Sequence, residues 1–308
     1  MRDGHPKRWP RASAARTASY AALILGCLFF IYPIFFSIAV GFMSKEQYAT
    51  TPPSIVPLPA PFAFYNYQKI LCLDSQSRQY AIWYLNPFLR AAWYVVCNVV
   101  TGFIGGYVFA RMKFVGKQLV FIILMVSIML PGVITMAPTY LLMAHFPLVG
   151  GNNILGQGGT GFIDKFPVLF LLSLVSVVSI FLVRMAMSSF PRELEEAGKI
   201  DGAGVWRIMF QIVFPIQTPI LAYIAISTGI SVWNDWYIPF IYTNSDSLGT
   251  IASILVKMHS GEEGGQAGIP NWPKLIATGL GLTIPSLIIF AFFQRYIVQG
   301  LSTAAVKG

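Results

Sequence analysis

Four of the twelve acidic residues in this chain, Glu193, Glu195, Glu196 and Asp201, fall within nine positions. Clustered carboxylates can ligate a metal, act as general acid and base, or face a partner's cations. The first two uses need company that is missing. His5, His145 and His259 are scattered, and Cys27, Cys72 and Cys97 form no C-x-x-C pair, so neither zinc-site spacing nor a disulfide framework is present. No serine or cysteine has a base partner at recognisable spacing, so an enzyme is unmotivated. Gly156, Gly158 and Gly161 spell G-x-G-x-x-G, but no strand precedes them and no βαβ unit comes after. A compact turn in a loop is the expectation there. No Gly-Lys-Ser/Thr motif exists, so the chain itself carries nothing to hydrolyse ATP. A second acid, Asp235, lies in Trp233-Asn234-Asp235-Trp236, at the end of an apolar run. Acids in such places face protein interior or a watery path.

The elements that carry these residues are membrane-spanning by composition. Of 308 residues, 56% are hydrophobic and 11% charged, against about 25% charged in a soluble domain. The apolar residues come in blocks long enough to cross a bilayer, at 18–42, 89–110, 118–144, 167–187, 216–241 and 274–294. The expected fold is therefore an all-α membrane protein of six transmembrane helices. With the N-terminus inside, the inner segments hold 14 Lys and Arg residues and the outer segments 7, the latter including Arg90. Both termini are thus expected in the cytoplasm, and the net charge of +9 is a topology signal that leaves no call for nucleic acid. The stretch from Ala18 to Phe42 is too long for a signal-peptide core, which favours a retained first span over cleavage near Ala39.

The expected organisation is a basic tail at 1–17 and a six-helix transmembrane domain at 18–308. Outer loops are expected at about 43–88, 145–166 and 242–273, a cytoplasmic loop at 188–215, and a cytoplasmic C-terminal tail at 295–308. Gly102 and Gly106 make a small-xxx-small pair for close helix packing. Pro131, Pro138 and Pro285 interrupt spans, as broken helices near a solute path do. Asn98, Thr135, Asn234 and Asp235 are possible pathway-lining residues, with Ser127, Ser173, Ser176, Ser179 and Thr228 as further polar groups in spans; each also serves as interhelical glue.

The acidic cluster sits in the 188–215 loop. Pro191 and the glutamates after it mark a helix start, and Glu195 stands four before Lys199 in the favourable order. Gly202 breaks the run, with Asp201 placed to cap the second helix. Val205, Ile208, Met209 and Ile212 then mark one apolar face, and Pro215 ends the segment. A short helix, a glycine elbow and an amphipathic helix can dock a partner or rest on lipid head groups. Physics alone leaves both open.

The spacing Glu196-Ala197-Gly198, three residues, Gly202, nine residues, Ile212-Val213-Phe214-Pro215 resembles the EAA loop of ABC-importer permeases. Gly198 stands where that pattern has Ala, and Phe214 where it has Leu. The C-terminal Phe292–Gly308 segment and the Trp233–Pro239 segment are similar to those of carbohydrate-uptake permeases of the maltose type. The resemblance implies a type I importer fold and ATP-driven uptake of a sugar or oligosaccharide at the cell inner membrane. It also implies a second homologous permease subunit, a separate ABC ATPase dimer, an extracytoplasmic solute-binding protein, and no cofactor on this chain. On the same ground Glu196, Ala197, Gly198, Asp201, Gly202, Ile212 and Pro215 form the ATPase-coupling site, with Gly202 allowing the bend. The alternatives are an ion-coupled secondary transporter, which needs intramembrane charged pairs, and an ABC permease for a non-sugar solute.

Overall fold

The computed structural model describes residues 11–50, 55–74, 77–188, 191–260 and 270–305, and side chains between residues 16 and 294. Residues 1–10 of the expected tail, Ser189 in the 188–215 loop and the final residues 306–308 lie outside the described residues. The described chain is helical. Three helices are long and apolar enough to cross a membrane: α1 (Arg11–Gly41), α4 (Arg78–Arg111) and α15 (Trp272–Ala305). Between α1 and α4 lie two short helices, α2 (Lys45–Thr50) and α3 (Tyr65–Ile70).

The other apolar runs are broken, and of the three prolines expected to interrupt spans only Pro131 marks a break: Pro138 and Pro285 lie within continuous helices. The run expected as one span at 118–144 is two helices, α5 (Lys117–Met129) and α6 (Gly132–Ala144), meeting at 101°. Leu130, held extended (ψ 122°) by the ring of Pro131, makes the corner. The run at 167–187 divides into α7 (Val168–Leu171) and α8 (Val177–Ser188), with Ser173 between them in the left-handed region (φ 71°). The run at 216–241 is α12 (Thr218–Trp233) followed by a break and α13 (Tyr237–Tyr242). A final short helix, α14 (Ile251–His259), precedes α15 and starts with a capping box between Thr250 and Ser253. Two boundaries also move outward. Helix α4 begins at Arg78, not near residue 89, and α15 runs through residue 305 with no stop near 295.

The helix α4 is the spine: α8 and α12 pack along it, α15 packs on α12, and α1 packs on α15. Its glycines permit the tightest approach. A Cβ on Gly102 would lie 2.7 Å from Ser179 Cβ, and one on Gly106 would lie 2.5 Å from Val183 Cβ. Neither neighbour is the loose end of a flexible side chain, so α8 itself would have to move. Gly106→Ala is therefore expected to cost about 1–3 kcal/mol by overpacking, read as a lower unfolding midpoint in detergent, whereas Gly26→Ala in open space leaves it unchanged.

Large apolar side chains face outward over much of the molecule, including Phe29, Phe30, Met129, Val133 and Phe292. Lipid tails or another apolar subunit can cover such a surface without penalty, and water cannot.

Candidate functional site

Two regions gather the functional side chains, one at the C-terminal end of α4 and one along its middle. At its C-terminal end lies the helical element spanning 192–216. Its first part, α9 (Arg192–Ile200), comes after Pro191, whose extended ψ of 129° turns the chain into the helix. It ends in a Schellman motif: Ala203 N–H donates to Gly198 O (2.9 Å) and Gly202 N–H to Lys199 O (3.0 Å). Gly202 sits at φ +75° with open space around it, so backbone conformation and not contact demands glycine there. Asp201 is the C-cap of α9; the next helix starts after Gly204 with no side-chain cap. The expectation that Asp201 caps the second helix is thus corrected, because the Schellman turn places three residues between them.

The second part runs from α10 (Val205–Arg207) through a π-turn at Ile208–Val213 into α11 (Phe214–Ile216). A π-turn adds a residue to the repeat, and this rotates the buried face. Ile208, Met209 and Val213 are buried, Ile212 only partly, and Val205 is exposed. The expected stripe from Val205 to Ile212 is corrected accordingly. A bend of 76° then leads into α12. The three buried residues share one core with Phe103 and Tyr107 of α4, Val183 and Met187 of α8, and Ile220 and Ile224 of α12. The element is thus packed into the helix bundle through its π-turn.

Glu195 fixes the first half. It is buried and its Oε1 accepts from Arg111 Nε at 2.7 Å, while Tyr107 Oη donates to Oε2 at 3.4 Å. Glu195 therefore pairs across to the end of α4 and not with Lys199 on its own helix. Glu196, Ala197 and Asp201 remain exposed on the outer side of the element, as does Pro215. Gly198 is buried against Ile212 and Ile208, and a Cβ there would meet Ile212 Cδ1 at 2.8 Å. That atom ends a flexible side chain and can give way. Gly198→Ala is expected to raise stability by up to about 1 kcal/mol through helix propensity without loss of uptake; Gly198→Leu, lacking room, is expected to lower both.

The second region is a cavity of about 870 Å³ among α4, α6, α8 and α12. It brings together Asn98, Thr135 and Asp235, with Ser173, Ser176, Ser179 and Thr228. Ser127 is not among its lining residues, and neither is Asn234. Asn234 is the C-cap of α12, and its amide donates to Ile230 O (2.8 Å) and Ser286 Oγ (3.2 Å). One residue along, the chain has turned, and Asp235 Oδ1 accepts from the N–H groups of Tyr237 (3.0 Å) and Ile238 (3.3 Å), starting α13.

Sequence reasoning missed the partner of Asp235. Arg90 Nη2 donates to Asp235 Oδ2 at 2.7 Å, with the arginine side chain fully buried. Arg90 is thus no outer-loop cation, and its place in the charge tally is corrected: it lies a third of the way along α4. The single turn α7 leaves its last carbonyls unpaired. Arg90 Nε and Tyr94 Oη both donate to Leu169 O (3.1 and 3.0 Å), and Trp93 Nε1 donates to Phe170 O (3.1 Å). The i, i+4 spacing of Arg90 and Tyr94 was a legible signal that both face one way; the separation of 145 positions from Arg90 to Asp235 hid the pair.

The loop at 145–166 is a folded turn structure. Gly156, Gly158 and Gly161 all take positive φ, Asn152 ties the loop to Ala144 and Phe146, and Asp164 accepts from Asn244 N, Ser245 N and Ser245 Oγ. The three glycines of the G-x-G-x-x-G pattern serve that turn.

Residues 99–303 match the family described as binding-protein-dependent transport system inner membrane component. The chain is 27% identical over 238 residues (76% of this chain and 77% of the relative) to the arabinooligosaccharides transport system permease protein AraQ of Halalkalibacterium halodurans. It is 26% identical over 282 residues (91% and 93%) to the sn-glycerol-3-phosphate transport system permease protein UgpE of Yersinia pestis. Its fold matches a chain in the crystal structure of a bacterial ABC transporter involved in the import of the acidic polysaccharide alginate, with TM-score 0.74 at 19% identity over 94% of this chain and 99% of that one. The family match runs from the last turns of α4 to α15 and includes the 192–216 element, and the chain belongs to the binding-protein-dependent transport system inner membrane components.

Proposed function

We propose that this chain is one permease subunit of an ATP-driven sugar or oligosaccharide importer. Its 192–216 element is the surface on which a separate ABC ATPase acts. The observation that carries the reading is the way that element is attached. Its π-turn is part of the bundle core, its first half is clamped to α4 through Glu195 and Arg111, and Glu196 and Ala197 face outward. A push on the exposed face is therefore delivered to α4, α8 and α12 together, as switching between discrete packed states requires. Glu196 supplies charge for contact with the ATPase, Gly202 sets the bend, Ile212 seats the second helix against Gly198, and Pro215 ends it.

Six crossings, with α7 and α8 together as the fourth, and both termini on the cytoplasmic side agree with the charge distribution. A second permease covers part of the outward apolar surface and completes the pathway, and a solute-binding protein delivers the sugar from the other side. The name of the arabinooligosaccharide-transporting relative favours a sugar as the solute.

The pair between Arg90 and Asp235 is the kind of buried charge that an ion-coupled transporter uses. The family match makes ATP the expected energy source, and the pair then serves structure and solute contact.

The docking assignment is tested by cross-linking. In the assembled complex, with the three native cysteines replaced, Glu196→Cys should cross-link to the ATPase subunit. Cross-links to lipid alone, or none to the ATPase, would reject it.

A further inference from the structure

Two polar atoms in the wall of the large cavity lack partners. Arg90 Nη1 and Asn98 Oδ1 are buried with no hydrogen bond among the described residues, and both residues line the cavity. Arg90 is 0% exposed and Asn98 6%. An unmade buried hydrogen bond is costly, and more so at a charged group. Two in one wall mark a place where something else makes those bonds.

The chemistry of that something is constrained by what the guanidinium already binds. Nε is held by Leu169 O and Nη2 by Asp235. Those two bonds use two of its five N–H groups, so the limit on an anion is set by charge. Asp235 cancels that of the guanidinium. Arg90 and Asp235 are the only charged residues among those lining the cavity, whose other polar groups are chiefly Ser, Thr and Tyr hydroxyls. An anion would find no net positive charge and would meet the Asp235 carboxylate. A neutral polyol suits the wall, because each hydroxyl both donates and accepts and can meet one orphan donor and one orphan acceptor. Arg90 and Asn98 are eight residues apart on one face of α4, about 12 Å along its axis, which is longer than a single sugar ring.

We infer that this cavity is a contact site for neutral oligosaccharides of two or more rings. Arg90 Nη1 donates to a solute oxygen at one end and Asn98 Oδ1 accepts from a hydroxyl at the other. Asp235 is the positioning residue that neutralises Arg90 and so disfavours anions. Both atoms are covered in the conformation described, so the contacts form as the wall opens during transport. The inference rests on the importer reading and extends it to the class of solute.

The test uses the complete importer, with its second permease, ATPase and binding protein, in proteoliposomes. The probes are neutral arabinotriose, an alginate trisaccharide and sn-glycerol-3-phosphate. Arabinotriose should be taken up, and Asn98→Leu should raise its KM about tenfold, the equivalent of one lost hydrogen bond. The double variant Arg90→Met/Asp235→Leu, which leaves no unpaired charge to upset folding, should raise KM as well. Uptake of either anionic probe in preference to arabinotriose, uptake of none of the three, or KM values unmoved in both variants would overturn the inference. The importer reading fails on a different result, the absence of an ATPase subunit from the purified complex.

Discussion

Asp235→Ala lowers the stability of the folded chain by about 3–5 kcal/mol, the cost of leaving one member of a buried ion pair alone. The loss is large because Arg90 has no exposed surface through which water could take over. The same substitution frees the N–H groups of Tyr237 and Ile238 at the start of α13, adding to the loss. In detergent, the variant should show a strongly lowered unfolding midpoint and poor recovery. Arg90→Met/Asp235→Leu removes both charges and should regain most of the stability, since a buried pair replaced by apolar groups is often neutral or better. An Asp235→Ala chain as stable as the parent would show that the pair is not what holds α4 to the turn between α12 and α13.

Gly202→Pro is expected to reduce ATP-driven uptake about 100-fold, the upper range of coupling between linked sites. Proline cannot adopt φ near +75° and has no N–H to donate to Lys199 O. The Schellman turn therefore opens, and α9 loses its fixed angle to the π-turn. Gly202→Ala has open space around its Cβ and pays only about 1–2 kcal/mol for the left-handed conformation, so its uptake should fall far less. Glu196→Lys, which inverts an exposed charge without touching the fold, should lower uptake as severely as Gly202→Pro while the chain still inserts and assembles with its second permease. Uptake at parental rates in both Gly202→Pro and Glu196→Lys would remove the coupling role from this element.

The elements that were legible in the sequence are those with local causes. Gly202 announces its turn because only glycine tolerates the required φ, and Pro191 and Pro131 announce a helix start and a corner. The glycines at 102 and 106 announce close packing, and Ser179 and Val183 of α8 occupy the space they leave. What stayed hidden has non-local causes. The angle of 101° at Pro131 depends on what α5 and α6 pack against. The π-turn at Ile208–Val213 leaves no composition signal, and it moved the buried face from Ile212 to Val213. Arg90 looked like an outer-loop cation because a hydropathy reading starts the span beside it, while α4 in fact extends eleven residues further toward the N-terminus. Asn234 and Asp235 are neighbours in sequence, yet the end of α12 sends one to α15 and the other to the cavity. Asn98 and Thr135 were legible as polar groups in apolar runs, but only the fold brings them to one cavity.

The central claim is that force applied by an ATPase at the 192–216 element moves solute through this bundle. Its most direct measurement is solute uptake by the purified complex in proteoliposomes, with ATP supplied to the ATPase side and no ion gradient imposed. The account predicts uptake that requires ATP and the binding protein and persists when proton and sodium gradients are collapsed. Uptake that runs without ATP and stops when an ion gradient is abolished would contradict it.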